Sequence, residues 1–464
     1  MDSRRLKMSL STILLGCIAD DFTGATDLAN NLVRAGMRVT QVIGVPADEL
    51  ALEAQADAIV VSLKSRTTPP AEAIKESLTA LAWLQARGAQ QIYFKYCSTF
   101  DSLYEGPVRG NIGPVTEALM DALKSDFTIA TPAFPDSLRT VFKGHLFVGE
   151  ALLSESGMQN HPLTPMRDAN LVRVMQAQCS RKVGLIDYKV IAQGEAAITN
   201  RISVLRAEGV GIAIVDALNN PDLMVLGRAL KGMPLITAGS GVAIGLPQNF
   251  ESTTASASPA TTTASATLPT QALTVVSNQL PSPEGLQAIV SGSCSVATNR
   301  QVAHFQSLGG AAWAVDPMAI VAAGEAGEAG RVYADRVLQW AAPKLALGPV
   351  LIYSTAAPDT IKAVQAKLGV EQASGLVEKT LAHIATGLLA LGVRQLIIAG
   401  GETSGACVQA LQVKQLQIGA QIDPGVPWCF TRPPSLGGQG LHLALKSGNY
   451  GTDDFFSKAF EVLQ

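Results

Sequence analysis

Two adjacent acids suggest where the chemistry of this chain begins. Asp20 and Asp21 stand in "IADDFTGATD", with Thr23 and Gly24 directly behind them. Two further polar clusters follow. "SLKSRT" carries Lys64, Ser65 and Arg66, and "FKYCSTFDS" carries Lys95, Ser98, Thr99, Asp101 and Ser102. Acids, cations and hydroxyls in this mixture suit a small polyhydroxy anion. The cations would hold a carboxylate through charge-assisted hydrogen bonds, and an aspartate would manage a hydroxyl proton. Each cluster also has a plainer reading. Thr23 or Thr26 fits as a helix cap, and Lys64 and Arg66 fit as solvated charges. Three such clusters in succession are harder to dismiss than one.

The second half of the chain has a different kind of chemistry, carried by glycine-rich turns. "AIVSGSCSVATN" places Ser291, Gly292, Ser293 and Ser295 between a strand and a helix. "IIAGGETSGACV" does the same with Gly400, Gly401, Glu402, Thr403, Ser404 and Gly405. "LALKSGNYGTDDFF" does it with Lys446, Ser447, Gly448, Asn449 and Gly451. Glycine lets backbone N–H groups approach an anion closely, and the following helix N-terminus adds a favourable dipole. None of the three matches the G-x-x-x-x-G-K-[ST] phosphate loop. A single such turn is as well explained by a capped helix; three together favour a nucleotide.

The elements that must position these residues are read from the pattern around them. "TILLGCIA", "RVTQVIGV", "DAIVVSL", "QQIYFKY" and "FTIATPA" are short β-type runs. They alternate with helical segments such as "AEAIKESLTALAWLQARG" and "GPVTEALMDALKSD". That alternation predicts α/β domains, each a mainly parallel sheet flanked by helices. Ligands in such sheets bind beyond the carboxyl ends of the strands, where all the polar clusters fall. The length of 464 residues predicts more than one domain. Residues 251 to 270, "ESTTASASPATTTASATLPT", have too few large apolar side chains to bury a core, and read as a low-complexity linker. The expected organisation is an N-terminal domain over 9–248, a linker over 249–284 and a C-terminal domain over 285–464.

Composition narrows the partners. The net charge is −3, with no basic block or aromatic–basic interleaving to suggest nucleic acid. No run reaches the roughly 20 apolar residues of a membrane span. Six scattered cysteines without a C-x-x-C pair fit a cytoplasmic protein with reduced thiols. A competing reading takes "LLGC" as an export signal ending at a lipid-modified Cys17. It is disfavoured, because the apolar run is broken by Ser9, Ser11 and Thr12 and a helical pattern follows at once. Another takes Gly239, Gly241 and Gly245 in "LITAGSGVAIG" as a dinucleotide turn. The spacing is loose, and the chain runs into the linker before an acidic partner strand can follow.

Taken with "NIGPVTEAL", "GHLFVGEALLSESGMQNHPLTPMRDANL" and "SGSCSVATNRQV", these motifs resemble the four-carbon acid sugar kinase family. The resemblance runs from about Leu14 to the C-terminus. It implies a two-domain cytoplasmic kinase using ATP and Mg2+ on the terminal O4 hydroxyl of a four-carbon sugar acid. Threonate, erythronate and their 3-oxo forms are the substrates to weigh. It also implies a sugar acid on the N-terminal domain and ATP on the C-terminal one. Ser291, Gly400 to Thr403, and Gly448 match the family's nucleotide turns. On this reading Asp21 or Asp20 is the base, and Arg66 and Lys95 clamp the carboxylate. Thr23, Gly24, Lys64, Ser98 and Asp101 join them in binding the substrate. The metal ligands are open, with Glu402 a candidate on charge alone. Closure of the two domains would exclude water. Homo-oligomerisation is left open. The chain departs from the family in its long linker and in residues 1 to 8, which makes Met8 a candidate start.

Overall fold

The computed structural model describes residues 13–46, 56–102, 104–105, 108–161, 164–250, 279–324, 328–354 and 369–463. The Ser/Thr/Ala/Pro-rich run and residues 1 to 8 lie outside them. The chain forms two compact units. One comprises residues 1–19, 32–40 and 45–277; the other comprises 20–31, 41–44 and 278–464.

The first unit is α/β. Its strands are β1 (Leu15–Ala19), β2 (Val39–Ile43, whose last three residues count with the second unit), β3 (Ala58–Ser62), β4 (Gln91–Lys95), β7 (Thr128–Thr131), β11 (Lys182–Ile186), β12 (Val210–Val215) and β13 (Leu235–Ala238). Short antiparallel pieces make up the rest: β5 and β6 (Tyr104–Glu105, Val108–Arg109), and β8, β9 and β10 (Arg139–Phe142, His145–Val148, Ala151–Leu152). Sheet order is β11-β12-β7-β13-β4-β1-β3, parallel throughout. Every residue of β1, β3, β4 and β12 is buried. That is the expected signature of strands covered on both faces. The register sets Ala19 beside Ser62 and Lys95, and Ala238 beside Lys95 and Thr131. The strands therefore end on one level, and the polar clusters begin there. Among the covering helices are α2 (Pro70–Ala86), with Pro at its first position, and α3 (Ile112–Ala122).

Cys17 lies at the centre of β1, fully buried, paired with Val60 on one side and Tyr93 on the other. Burial raises its thiol above the ordinary range. A strand centre held from both sides is a core position, so the lipid-anchor reading finds no support here. The glycines of the suspected dinucleotide turn also have packing reasons. A Cβ on Gly241 would meet the Ala133 carbonyl oxygen, one on Gly245 the Leu223 carbonyl, and one on Gly239 the Pro132 carbonyl at 3.0 Å. They let a 3-10 turn, Gly241–Gly245, press against backbone.

Asp216, just past β12, is a buried structural anchor. Its carboxylate accepts the amides of Lys143 at 2.6 Å, Gly144 at 2.8 Å and Tyr188 at 2.9 Å. Asp216→Ala leaves these donors without that partner and should cost about 2–3 kcal/mol. A denaturant midpoint unchanged from wild type would refute the anchoring role.

The second unit contains β14 (Leu286–Ser291), β15 (Ala311–Ala314), β16 (Val350–Tyr353), β17 (Val393–Ala399), β18 (Gln415–Asp423), β19 (Val426–Thr431) and β20 (Leu441–Lys446). Their order is β18-β19-β20-β17-β14-β16-β15. The run from β20 to β15 is parallel, and β19 is antiparallel to both its neighbours. Its core gathers Ile289, Phe305, Ile397, Trp428, Phe455 and Phe460. The Trp428 indole N–H donates to the Ala459 carbonyl at 2.7 Å, so the largest core side chain is also polar-satisfied. Helix α1 (Phe22–Arg34) is divided between units, and its residues up to Asn31 count with the second.

Candidate functional site

In the second unit, register brings three glycine turns together. Ser291 of β14 pairs with Ala399 of β17, and Ala399 with Lys446 of β20. All three turns thus leave the sheet at the same height. Backbone bonds lock them: Gly292 N–H donates to the Ala399 carbonyl at 2.9 Å, and Gly400 N–H to the Lys446 carbonyl at 2.8 Å. Ser295 caps the helix Val296–Ser307, its Oγ accepting the Thr298 N–H at 3.2 Å. Gly400 precedes the helix Gly401–Ala410 at φ +115°, a conformation that selects glycine. A Cβ on Gly448 would run into Ser293 Oγ. Thr403 is buried, its Oγ1 packed where a Gly292 side chain would be. Ser291 is fully buried at the strand end, whereas Gly401 and Glu402 are exposed. An exposed Gly401 with a helix N-terminus behind it is what an incoming phosphate requires.

The acidic loop after β1 counts with this unit too. Asp21 is the cap of α1: its Oδ1 accepts the Gly24 N–H at 2.8 Å and its Oδ2 accepts the Thr23 hydroxyl at 2.9 Å. The cap is thus an aspartate, not Thr23 or Thr26. Thr26 instead donates back to the Thr23 and Phe22 carbonyls. A Cβ on Gly401 would stand 3.7 Å from Asp21 Oδ2 and 3.9 Å from Thr23 Oγ1. The carboxylate therefore faces the start of the Gly401 helix. Asp20, beside it in sequence, is buried. Asn30 donates to Gln421 at 2.6 Å and the Tyr450 hydroxyl to Asp27 at 3.4 Å, which ties α1 to β18 and to the Gly448 turn.

The remaining candidates lie on the rim of the first unit. Lys95 ends β4 with its side chain buried and its ammonium donating to the Tyr96 carbonyl at 2.8 Å. Ser98 is buried, and Thr99 donates to Asp101 at 2.7 Å. Burial pushes the Cys97 thiol up to about 12; Asp101 adds to the rise and Arg66 opposes it. Both charges therefore lie within electrostatic reach of one sulfur. Lys64 is exposed and Arg66 half-buried.

The structure thus groups Asp20, Asp21, Thr23 and Gly24 with Ser291, Gly400, Gly401, Glu402, Thr403 and Gly448. It leaves Lys64, Arg66, Lys95, Ser98 and Asp101 on the other unit. Two side chains have a supporting role that the sequence did not assign, although Lys446 was read as part of the third glycine turn. Asn111, the residue before α3, donates its amide to the Ser65, Arg66 (3.0 Å) and Thr68 (3.1 Å) carbonyls and so shapes the Arg66 loop. Lys446 is fully buried under the Gly448 turn. A lysine closing the apolar run "LHLAL" was the available signal. Among the described residues no group of three or more His, Cys, Asp or Glu could hold a metal on its own. None of the described helices is long and apolar enough to cross a membrane.

Comparison with known proteins also gives two domains, but it counts the acidic loop, residues 20–31, with the first of them. Residues 15–246 match the model of a sugar-binding N-terminal domain and 288–456 that of a nucleotide-binding C-terminal domain. A 3-oxo-tetronate kinase of Burkholderia multivorans is 54% identical over 455 residues, 98% of each chain. One of Pectobacterium atrosepticum is 44% identical over 96% of this chain and 98% of its own. A crystal structure from Salmonella typhimurium LT2, with a provisional description as a tRNA synthase, is 40% identical with a TM-score of 0.79. It covers 98% of this chain and 100% of that one. A Haemophilus influenzae structure is 41% identical with a TM-score of 0.70, over 97% and 100%.

Proposed function

Because the chain belongs to the family that joins a sugar-binding N-terminal domain to a nucleotide-binding C-terminal domain and includes the 3-oxo-tetronate kinases, we propose that it phosphorylates 3-oxo-tetronate. It is a phosphotransferase with an alcohol acceptor. The γ-phosphoryl group of ATP passes to the O4 hydroxyl, the hydroxyl proton is released, and 3-oxo-tetronate 4-phosphate and ADP are the products. One observation supports this reading above others: the Asp21 carboxylate faces the Gly401 helix start, within the unit that carries the three glycine turns.

The residues divide by what they can do. Backbone N–H groups at Gly401–Thr403, which the glycine at Gly400 leaves approachable, and the turns at Ser291 and Gly448 receive the phosphates. Asp21 accepts the O4 proton, with Asp20 as the alternative base. Arg66 and Lys95 hold the substrate carboxylate, and Ser98 and Asp101 bond its hydroxyls. Transfer of this kind rests on positioning and electrostatics more than on covalent help from the protein. The oxygen donors near the Gly401 helix suit Mg2+, which takes few protein carboxylates and shares the phosphates. Glu402 is the side chain that would hold it, leaving Asp21 free to act as base, and the ion would offset phosphate charge. A cytoplasmic location fits this chemistry. The net charge of −3 gives no support to tRNA binding.

An ATP-consumption screen over threonate, erythronate and their 3-oxo forms tests the assignment. Turnover confined to the unoxidised acids would move the substrate within the family, and none with any acid would overturn the function. A companion prediction concerns Asn111. Asn111→Ala frees the Arg66 loop, and loss of these bonds should raise KM for the sugar acid by about 10-fold. KM for ATP should stay near wild type. Equal rises in both would refute the loop-shaping role.

A further inference from the structure

The Gly448 turn rests on a buried cation. Lys446 Nζ donates to Thr298 Oγ1 at 3.0 Å and to the carbonyls of Ser447 (3.1 Å), Gly448 (3.2 Å) and Tyr450 (3.1 Å). Four acceptors surround three protons, so the group is fully engaged. The Gly448 carbonyl also accepts Ser295 Oγ at 2.5 Å and Thr298 Oγ1 at 2.8 Å. The inner edge of the turn is therefore gripped by a strand-end ammonium and by the cap of the helix Val296–Ser307. On its outer side Tyr450 reaches Asp27 of α1, the helix that Asp21 caps.

We propose that Lys446 is a positioning residue for nucleotide binding: its ammonium holds the Ser447–Tyr450 turn in the shape that presents Gly448 to the phosphates. This rests on the reading of the chain as an ATP-dependent kinase. Lys446 does not touch the nucleotide, because it is fully buried and its protons go to protein oxygens. Its grip is also proton-dependent. Burial pulls the ammonium down from the lysine range to about 7, with Asp423 working against that fall. The other charges on neighbouring elements are largely paired. Lys458 holds Asp423 at 2.6 Å, Arg300 holds Asp453 at 2.8 Å, and Asp27 takes the Tyr450 hydroxyl. A neutral amine has only two protons for four acceptors, so the turn loosens as pH rises through about 7. Nearby phosphates favour the charged form, so ATP affinity should fall with rising pH. Global stability should move the other way. The folded-state value lies below the unfolded one, the unfolded chain binds the extra proton, and stability rises with pH above about 7. A purely structural role would not separate these two trends.

Calorimetry with ATP alone, from pH 7 to 9, is the test. Wild type should bind ATP and weaken as pH rises. Lys446→Met should bind about 10-fold more weakly at pH 7, with a flat pH dependence and sugar-acid affinity retained. Thr298→Val, which removes one of the ammonium's acceptors, should lose about 3-fold and keeps the test open if Lys446→Met does not fold. Unchanged ATP affinity in the folded variants would overturn the proposal. So would equal loss of both ligands. Wild-type protein that binds no ATP would overturn the kinase reading, and this inference with it.

Discussion

Asp21→Asn is expected to lower kcat by about 10²–10⁴-fold while leaving ATP affinity within a few-fold of wild type. The substitution preserves the cap of α1. Asparagine caps helices as well as aspartate does, so the bond from the Gly24 N–H, 2.8 Å long in the wild type, has a carbonyl oxygen to replace the carboxylate. The Thr23 hydroxyl, now donating at 2.9 Å, can turn to accept from the amide. Helix α1 should therefore stay in place, and the shape facing Gly401 should barely change. Only the capacity to take a proton is lost. Asp20→Asn is the control, since the two acids are adjacent and Asp20 is the more deeply buried. Steady-state turnover of the two variants, with ATP titrations alongside, separates the cases. A large loss confined to Asp20→Asn would transfer the base role to Asp20. Near-normal turnover in both would place the base elsewhere.

The reason Asp21 can be singled out is structural, and it marks where sequence reading stopped. The alternation of strand and helix was legible because β3 and β4 are continuous β-type runs closed by polar residues. The end of each strand could therefore be read as a site. The three glycine turns were legible for the same reason. Membership of the acidic loop was not. It depends on contacts such as Asn30 with Gln421 and Asp27 with Tyr450, which lie hundreds of residues apart in the chain. Local pattern carries no record of them. Glycine reading failed in a different way. Gly239, Gly241 and Gly245 have the look of a ligand turn, yet each is small because backbone presses on it. At Gly401 no backbone presses, and an added Cβ would meet only the side chains of Asp21 and Thr23, at 3.7 and 3.9 Å. A missing side chain has the same letter in both cases, and only the neighbouring atoms tell them apart.

That difference makes Gly401 the sharpest test of how the two ligands are divided. Gly401→Val should fold, because the added Cβ meets nothing closer than Asp21 Oδ2 at 3.7 Å. The left-handed φ belongs to Gly400, so position 401 imposes no such conflict on valine. A β-branched residue in the first turn of a helix costs less than about 1 kcal/mol. The branched side chain should instead fill the space before the helix N-terminus and keep phosphate from its amides. ATP affinity should fall by about 100-fold or more, equivalent to roughly 2.7 kcal/mol, with sugar-acid affinity kept. Arg66→Ala should give the opposite pattern. It removes a charge-assisted contact of roughly 1.5–3 kcal/mol, so the sugar acid should bind about 10- to 150-fold more weakly and ATP as before. Calorimetry with each ligand separately, on variants with unchanged circular dichroism, reads both outcomes. A reversed pattern would exchange the ligands between the two units. Loss of ATP binding in both variants would mean that nucleotide and sugar acid do not have separate sites.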